Sequence, residues 1–180
     1  MSRSLTGTEL KRLHREWRRR TPARLSLVVD GVQGPFNIGA LIRTAAAERV
    51  DHIWFAGGAT TPSNTKVGKT ALGTDRYVPW SAPDTTTTAI TEARQAGYLV
   101  VGVELAEGAR PLHELELHGD VCLIIGHEDR GLAKTTLDDC DRLGFIPQLG
   151  KVGSLNVATA ASIAIYETRR QEWQDRPASS

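Results

Sequence analysis

The chain is short of the features that announce many protein classes. Among 180 residues it has two cysteines, Cys122 and Cys140. They lie far apart and form no C-x-x-C, which excludes a disulfide framework and a zinc site and fits a reducing compartment. No apolar run reaches the length that spans a membrane, and no apolar segment follows the first charges. A cytoplasmic protein without a membrane partner is therefore expected. The five histidines show no metal-ligand spacing, so no metal is expected, and His127 beside Glu128 reads as a loop residue.

Several catalytic motifs are also incomplete. Val67-Gly68-Lys69-Thr70 resembles the end of a phosphate-binding loop, but Ser63 stands where that loop needs a glycine. Gly31, Gly34 and Gly39 do not have the spacing of a dinucleotide fingerprint. Gly153-Ser154-Leu155-Asn156 lacks the second glycine of a nucleophile elbow. Triphosphatase, dehydrogenase and serine hydrolase readings fall with them.

What is present is ordinary soluble composition, 40% hydrophobic and 24% charged, long enough for one cored domain. The net charge of +1 conceals an asymmetry. Residues 1–24 hold eight Lys and Arg against two Glu, a balance of +6, which leaves −5 for the remainder. A basic arm on a mildly acidic body is the pattern of a chain that meets nucleic acid through one end. Lys11, Arg12, Arg15, Arg18, Arg19 and Arg20 are its candidate RNA contacts, with Trp17 placed to stack on a base or to dock the arm. Arg169 and Arg170 are further candidates at the other terminus.

Periodicity then fills the body. Apolar runs at residues 25–30, 52–56, 98–105, 121–126 and 143–146 read as strands, most of them covered on both faces. A short strand interrupted by Pro79 is expected at 77–80. Asn37 is a candidate N-cap, with Ile38, Leu41, Ile42, Ala45 and Ala46 at helical spacing behind it and Arg43 about one turn on. Further helices are expected at 85–96, with Ile90, Ala93 and Ala96 inward and Gly97 as the stop, and at 133–140; a short one is expected at 111–117. Residues 57–75 form a long Gly, Thr and Pro-rich connection with one short helix, the kind of loop that is usually functional. The last helix follows Gly150 and Gly153, is capped by Ser154 or Asn156, and is apolar at Val157, Ala160, Ala161, Ala164 and Ile165. Leu155, Ala158 and Ile163 widen that stripe until the helix must be buried on more than one side. Strands alternating with helices imply an α/β domain, residues 25–174, with a mostly parallel sheet and helices on both faces. Residues 1–24 are the arm and 175–180 a polar tail.

In such a sheet the polar residues at strand C-termini gather on one edge, where ligands bind. Here those residues fall in three stretches: N-I-G-A-L-I-R-T from Asn37, L-I-I-G-H-E-D-R-G-L from Leu123, and I-P-Q-L-G-K-V-G-S-L-N-V-A-T-A from Ile146. In order and spacing they resemble the three motifs of the SpoU-type RNA ribose 2′-O-methyltransferases, the TrmH-like branch of the SPOUT superfamily. The resemblance spans about residues 25–170.

It implies a trefoil-knotted α/β domain that works as a homodimer on RNA with S-adenosylmethionine. It implies that Arg43 activates the ribose 2′-hydroxyl, that Asn37 holds the first motif, and that Glu128, Ser154 and Asn156 complete the catalytic site. Gly126, Ile146, Leu155, Val103 and Gly150 are the implied cofactor contacts. Methyl transfer from a sulfonium calls for a held, partly deprotonated oxygen and no metal. Because an arginine pKa lies above about 12, anchoring the adjacent phosphate and stabilising the developing alkoxide is a second role open to Arg43. The basic arm and the ending Tyr166 to Gln171 resemble the transfer-RNA enzymes that methylate the D-loop guanosine at position 18, the expected target. A wobble nucleotide, ribosomal RNA, and a non-catalytic RNA-binding module are the alternatives.

Overall fold

The computed structural model describes residues 2–174, so the polar tail expected at 175–180 lies outside the described residues. Its centre is a seven-stranded sheet in which every pairing is parallel. The strands are β1 (Leu25–Asp30), β2 (His52–Ala56), β3 (Trp80–Ser81), β4 (Leu99–Val103), β5 (Arg110–Pro111), β6 (Val121–Ile125) and β7 (Arg142–Phe145). Their spatial order is β3-β2-β1-β6-β4-β7-β5.

Burial on both faces explains the largely apolar central strands. On β1, Leu25, Leu27 and Val29 join one core while Val28 joins the other; on β6, Val121, Leu123 and Ile125 oppose Cys122 and Ile124 in the same way. Period-two alternation thus sorts two apolar sets rather than an apolar set from a polar one. The first core is closed by α2 (Pro35–Ala47), α3 (Thr65–Ala71) and α6 (Val157–Gln174). The second is closed by α4 (Thr86–Gln95) and by the region of α5 (Lys134–Asp138).

The ends of these elements follow local chemistry, with several corrections to expectation. The Thr85 hydroxyl accepts from the Thr88 amide at 3.1 Å to start α4, and Gly97, at a φ of +88°, ends it. Ala96, expected inward, is exposed beyond the last turn. Asn37 is not an N-cap: Pro35, whose ring fixes a helical φ, takes the first helical position behind Gly34. Asn37 is thereby carried inside the first turn, and its amide becomes free for tertiary contacts. Residues 75–77 form a 3₁₀ turn, so the strand expected at 77–80 is reduced to Trp80–Ser81 at the sheet edge. The helix expected at 111–117 is a single 3₁₀ turn, Leu112–Glu114.

The arm contains α1 (Gly7–Arg20), opened by a capping box in which Thr6 and Glu9 satisfy each other's backbone amides. None of its residues is buried. It meets the body through Trp17, edge-on to Trp173 with ring centroids 4.9 Å apart. Arg24, by contrast, belongs to the body, bonded to the Asp120 carboxylate and the Ala96 carbonyl. Among the described residues no helix is long and apolar enough to cross a membrane.

Candidate active site

Three neighbouring strands release their chains at the same edge. β4 ends into Glu104, β6 into Gly126 and β7 into Ile146, and the adjacency of β6, β4 and β7 brings these exits together. A cavity of about 510 Å³ opens there, walled by Val103, Gly126, Ile146 and Leu155 with the side chains of Glu104, Glu128 and Ser154. That volume lies within the range of about 300–1,000 Å³ common to small-molecule sites. Part of the wall is bare backbone: a Cβ on Gly126 would stand 2.6 Å from the Gly131 carbonyl carbon and 2.8 Å from the Leu132 amide. Glycine at 126 lets the 127–131 loop fold back against the strand, where the Gly131 amide donates to the His127 carbonyl at 2.9 Å.

Beside this cavity, three separated segments are tied by one chain of hydrogen bonds. The Asn37 amide nitrogen donates to Glu128 Oε1 at 3.1 Å, and the Gly34 amide donates to the same oxygen at 3.2 Å. The Asn156 amide nitrogen donates to Asn37 Oδ1 at 2.9 Å. Asn156 Oδ1 accepts in turn from the Ala158 and Thr159 amides, capping α6 as the sequence suggests. Every amide in the chain has its orientation fixed by its neighbour. Burial pushes the Glu128 carboxyl up, but hydrogen bonds from its own amide and from Asn37, Gly34 and Gln33 prevail, and its pKa is lowered. The group at the head of the chain is a carboxylate.

The expected residues thus divide. Val103, Gly126, Glu128, Ile146, Ser154 and Leu155 meet around the cavity. Asn37 and Asn156 stand one and two hydrogen bonds behind Glu128. Arg43 is exposed on α2, six residues after Asn37, with no ion pair among the described residues. Gly150 is not part of the wall, because the loop around it turns outward: Leu149 and Val152 are fully and two-thirds exposed.

Of the basic candidates, Lys11, Arg12, Arg15, Arg18 and Arg19 are exposed on α1, and Arg20 is half-buried with its guanidinium 4.4 Å from the Trp17 ring centre. Arg169 requires correction. It is 2% exposed, and its guanidinium donates to the carbonyls of Ala23, Glu48 and Arg49 and pairs with Glu172 at 3.2 Å. It fastens α6 to the end of α2 and the entry to β1, and RNA cannot reach it. Arg170 is paired with Glu167 at 2.7 Å.

Glu104 was missed by the motif reading. Its Oε1 accepts from the Leu105 amide at 3.1 Å and its Oε2 from the Leu132 amide at 3.0 Å, so one carboxylate ties the end of β4 to the far end of the 127–131 loop. Gly131, at a φ of +63°, gives that oxygen room. A lone carboxylate directly after an apolar strand was the available signal.

Comparison with known proteins identifies the family to which this fold belongs. The SpoU rRNA Methylase family pattern matches residues 24–166. The 23S rRNA (guanosine-2'-O-)-methyltransferase RlmB of Xylella fastidiosa is 37% identical over 147 residues, covering 82% of this chain. The chain spans 59% of that relative's length. The AdoMet-bound rRNA methyltransferase from Sinorhizobium meliloti superposes with a TM-score of 0.77 at 31% identity, over 82% of this chain and 56% of that one. A protein solved for insight into the 2-OH methylation of C/U34 on tRNA superposes with a TM-score of 0.73 at 32% identity, over 83% of this chain and 97% of that one. The family match runs from the first residues of the sheet to the middle of α6 and takes in all three motif stretches, so this chain belongs to the SpoU rRNA Methylase family.

Proposed function

We propose that this chain transfers a methyl group from S-adenosylmethionine to a ribose 2′-hydroxyl of RNA. The observation that carries the reading is the Glu128–Asn37–Asn156 chain standing beside a backbone-walled cavity, with Arg43 unpaired on the same helix as Asn37. The cavity suits an adenosyl group: Ile146, Leu155 and Val103 offer apolar sides, and the Gly126 stretch offers backbone at close approach. When bound, the cofactor supplies an electrophilic methyl on a sulfonium. Displacement at that methyl would form the oxygen–carbon bond as the carbon–sulfur bond breaks, with the neutral thioether leaving and the hydroxyl proton passing to solvent.

The chain's own groups position the nucleophile. Arg43, always cationic, anchors the phosphate next to the target ribose and stabilises the alkoxide as it develops. Asn37 and Asn156 hold the first and third motifs in register through Glu128, and Ser154 contacts the ligand from the cavity rim. Lys11, Arg12, Arg15, Arg18 and Arg19 on α1 give the RNA a second, sequence-independent hold. A second copy of the chain covers the exposed Phe36 of α2 and Ile163 and Tyr166 of α6, which are 71%, 40% and 55% exposed.

For the target, the names of the relatives favour a ribosomal-RNA guanosine. A transfer-RNA wobble nucleotide is the second reading, carried by the solved protein that this chain matches over 97% of its length. The D-loop guanosine at position 18, the target expected from the basic arm and the Tyr166 to Gln171 ending, has less support than either. Incubation of wild-type protein with labelled cofactor and separate ribosomal and transfer RNA pools, followed by mapping of the methylated nucleotide, distinguishes them. In the active pool, Arg43→Ala is expected to lose turnover by about 100-fold or more while retaining cofactor affinity. Near wild-type turnover in that variant would remove Arg43 from the site.

A further inference from the structure

The segment between β2 and β3 holds cations that neither the cavity nor the arm accounts for. Lys66, Lys69 and Arg76 are all exposed, and none has an acidic partner among the described residues. We propose that α3 and the turn after it form a second RNA-contact face, which grips the phosphates flanking the nucleotide presented to Arg43. The inference rests on the RNA methylation reading and adds to it a surface that is separate from α1.

Rigidity is the first argument. Val67 and Ala71 are fully buried, and Thr70 packs so closely on α2 that a Cβ on Gly39 would stand 2.5 Å from the Thr70 Cβ. Gly39 precedes Arg43 by one helical turn, so α3 is fixed beside the helix that carries the ribose-directed arginine. Helices packed this closely lie about 8–10 Å apart, a separation that long lysine and arginine side chains can bridge along an RNA backbone. Leu72 and Gly73 both have positive φ, 52° and 74°, and they turn the chain so that the 75–77 turn also packs on α2.

Chemistry is the second argument. The Gly68-Lys69-Thr70 run lies inside a helix: the Leu72 amide donates to the Gly68 carbonyl, and Asn64 caps the start by accepting from the Lys66 amide at 2.9 Å. Its amides therefore run along α3 rather than around an anion-binding loop, and the exposed Lys66 and Lys69 side chains are the cations that α3 offers to a phosphate. Arg76 lies over the Tyr77 ring, 4.8 Å from its centre, and donates to the Tyr77 hydroxyl at 2.7 Å. Tyr77 is itself 63% exposed, so a cation and the aromatic ring it lies over are presented together, a combination that single-stranded nucleic acid sites commonly use.

The test compares wild type with a Lys66→Ala/Lys69→Ala/Arg76→Ala variant in RNA affinity between 50 and 200 mM salt, about the range over which phosphate contacts are lost. Weaker RNA binding is expected, with the slope of log affinity on log salt shallower by about 2, while cofactor affinity and thermal unfolding stay at wild-type values. An active wild type whose variant keeps the same affinity and slope overturns this face and leaves the methylation reading intact. A wild type that binds and methylates no RNA overturns both. A variant altered only in its self-association marks the face as a protein contact and also overturns the proposal.

Discussion

The first and last described helices both carry adjacent arginines and use them in opposite ways. α1 buries none of its residues and touches the body through the edge-on contact of Trp17 with Trp173. α6 buries Arg169 to 2% exposure and spends its guanidinium on three carbonyls from two other segments. A run of arginines reports charge, and burial decides what the charge is for. On α1 it remains available to a polyanion, whereas on α6 it replaces the backbone donors that the end of α2 and the entry to β1 lack.

The largest expected effect breaks the buried side of this contrast. Arg169→Ala would leave three carbonyls without their side-chain donor and Glu172 with the Ala23 amide alone, so unfolding free energy should fall by about 3–5 kcal/mol. For a chain of this size that lowers the melting temperature by about 6–20 °C. Measurement of thermal unfolding decides the matter. A wild-type melting temperature in this variant would show that the guanidinium does no structural work and would restore Arg169 as an RNA contact.

Removal of residues 1–20 should show the reverse pattern. The body loses the Trp17–Trp173 contact, a matter of about 1 kcal/mol, and keeps Arg24 bonded to Asp120. RNA affinity should weaken and its salt slope become shallower, because the exposed cations of α1 are gone. Loss of the body's folded state on deletion would instead make α1 part of the domain.

Legibility followed the same division between local pattern and tertiary consequence. The central strands were readable because β6 is apolar at every position and β1 at all but Ser26 and Asp30, and the Asn156 cap because its chemistry is local. Asn37 was misread as a cap since Pro35, two residues earlier, is the better helix start, and its true role as a link between Glu128 and Asn156 needs partners 91 and 119 residues away. Glu104 escaped notice for the same reason: its partner amide at Leu132 lies 28 residues on, across a strand crossover. The cofactor contacts are expected through resemblance alone, and that resemblance is also the sole source of the expected knot, which no periodicity encodes. Arg169 and Arg170 looked alike on paper because exposure is a property of what packs above a residue.

Two glutamates sharpen the contrast between arm and body at the smallest scale. Glu9 on α1 is lowered to about 2, first by the Arg3 guanidinium and then by Thr6, yet it stands in solvent. Glu128 is also lowered, with burial opposing and four hydrogen bonds prevailing, and it stands in the wall of the cavity. Both folded values lie below the ordinary 4.5, so each contributes stability that is present above that value and lost as pH falls through the folded one. The two losses should differ in their response to salt. Exposed pairs are screened within about 8–10 Å at physiological ionic strength, so the Glu9 contribution should fade in high salt, whereas the amide bonds to Glu128 should hold. Unfolding of Glu128→Gln and Glu9→Gln against wild type, between pH 7 and the acid limb at low and high salt, reads this directly. Glu128→Gln should flatten the acid limb at both salt concentrations and Glu9→Gln only at low salt. If high salt erased the Glu128 difference as well, its carboxylate would be held by long-range charge, and the Asn37–Asn156 chain behind it would lose its anchor.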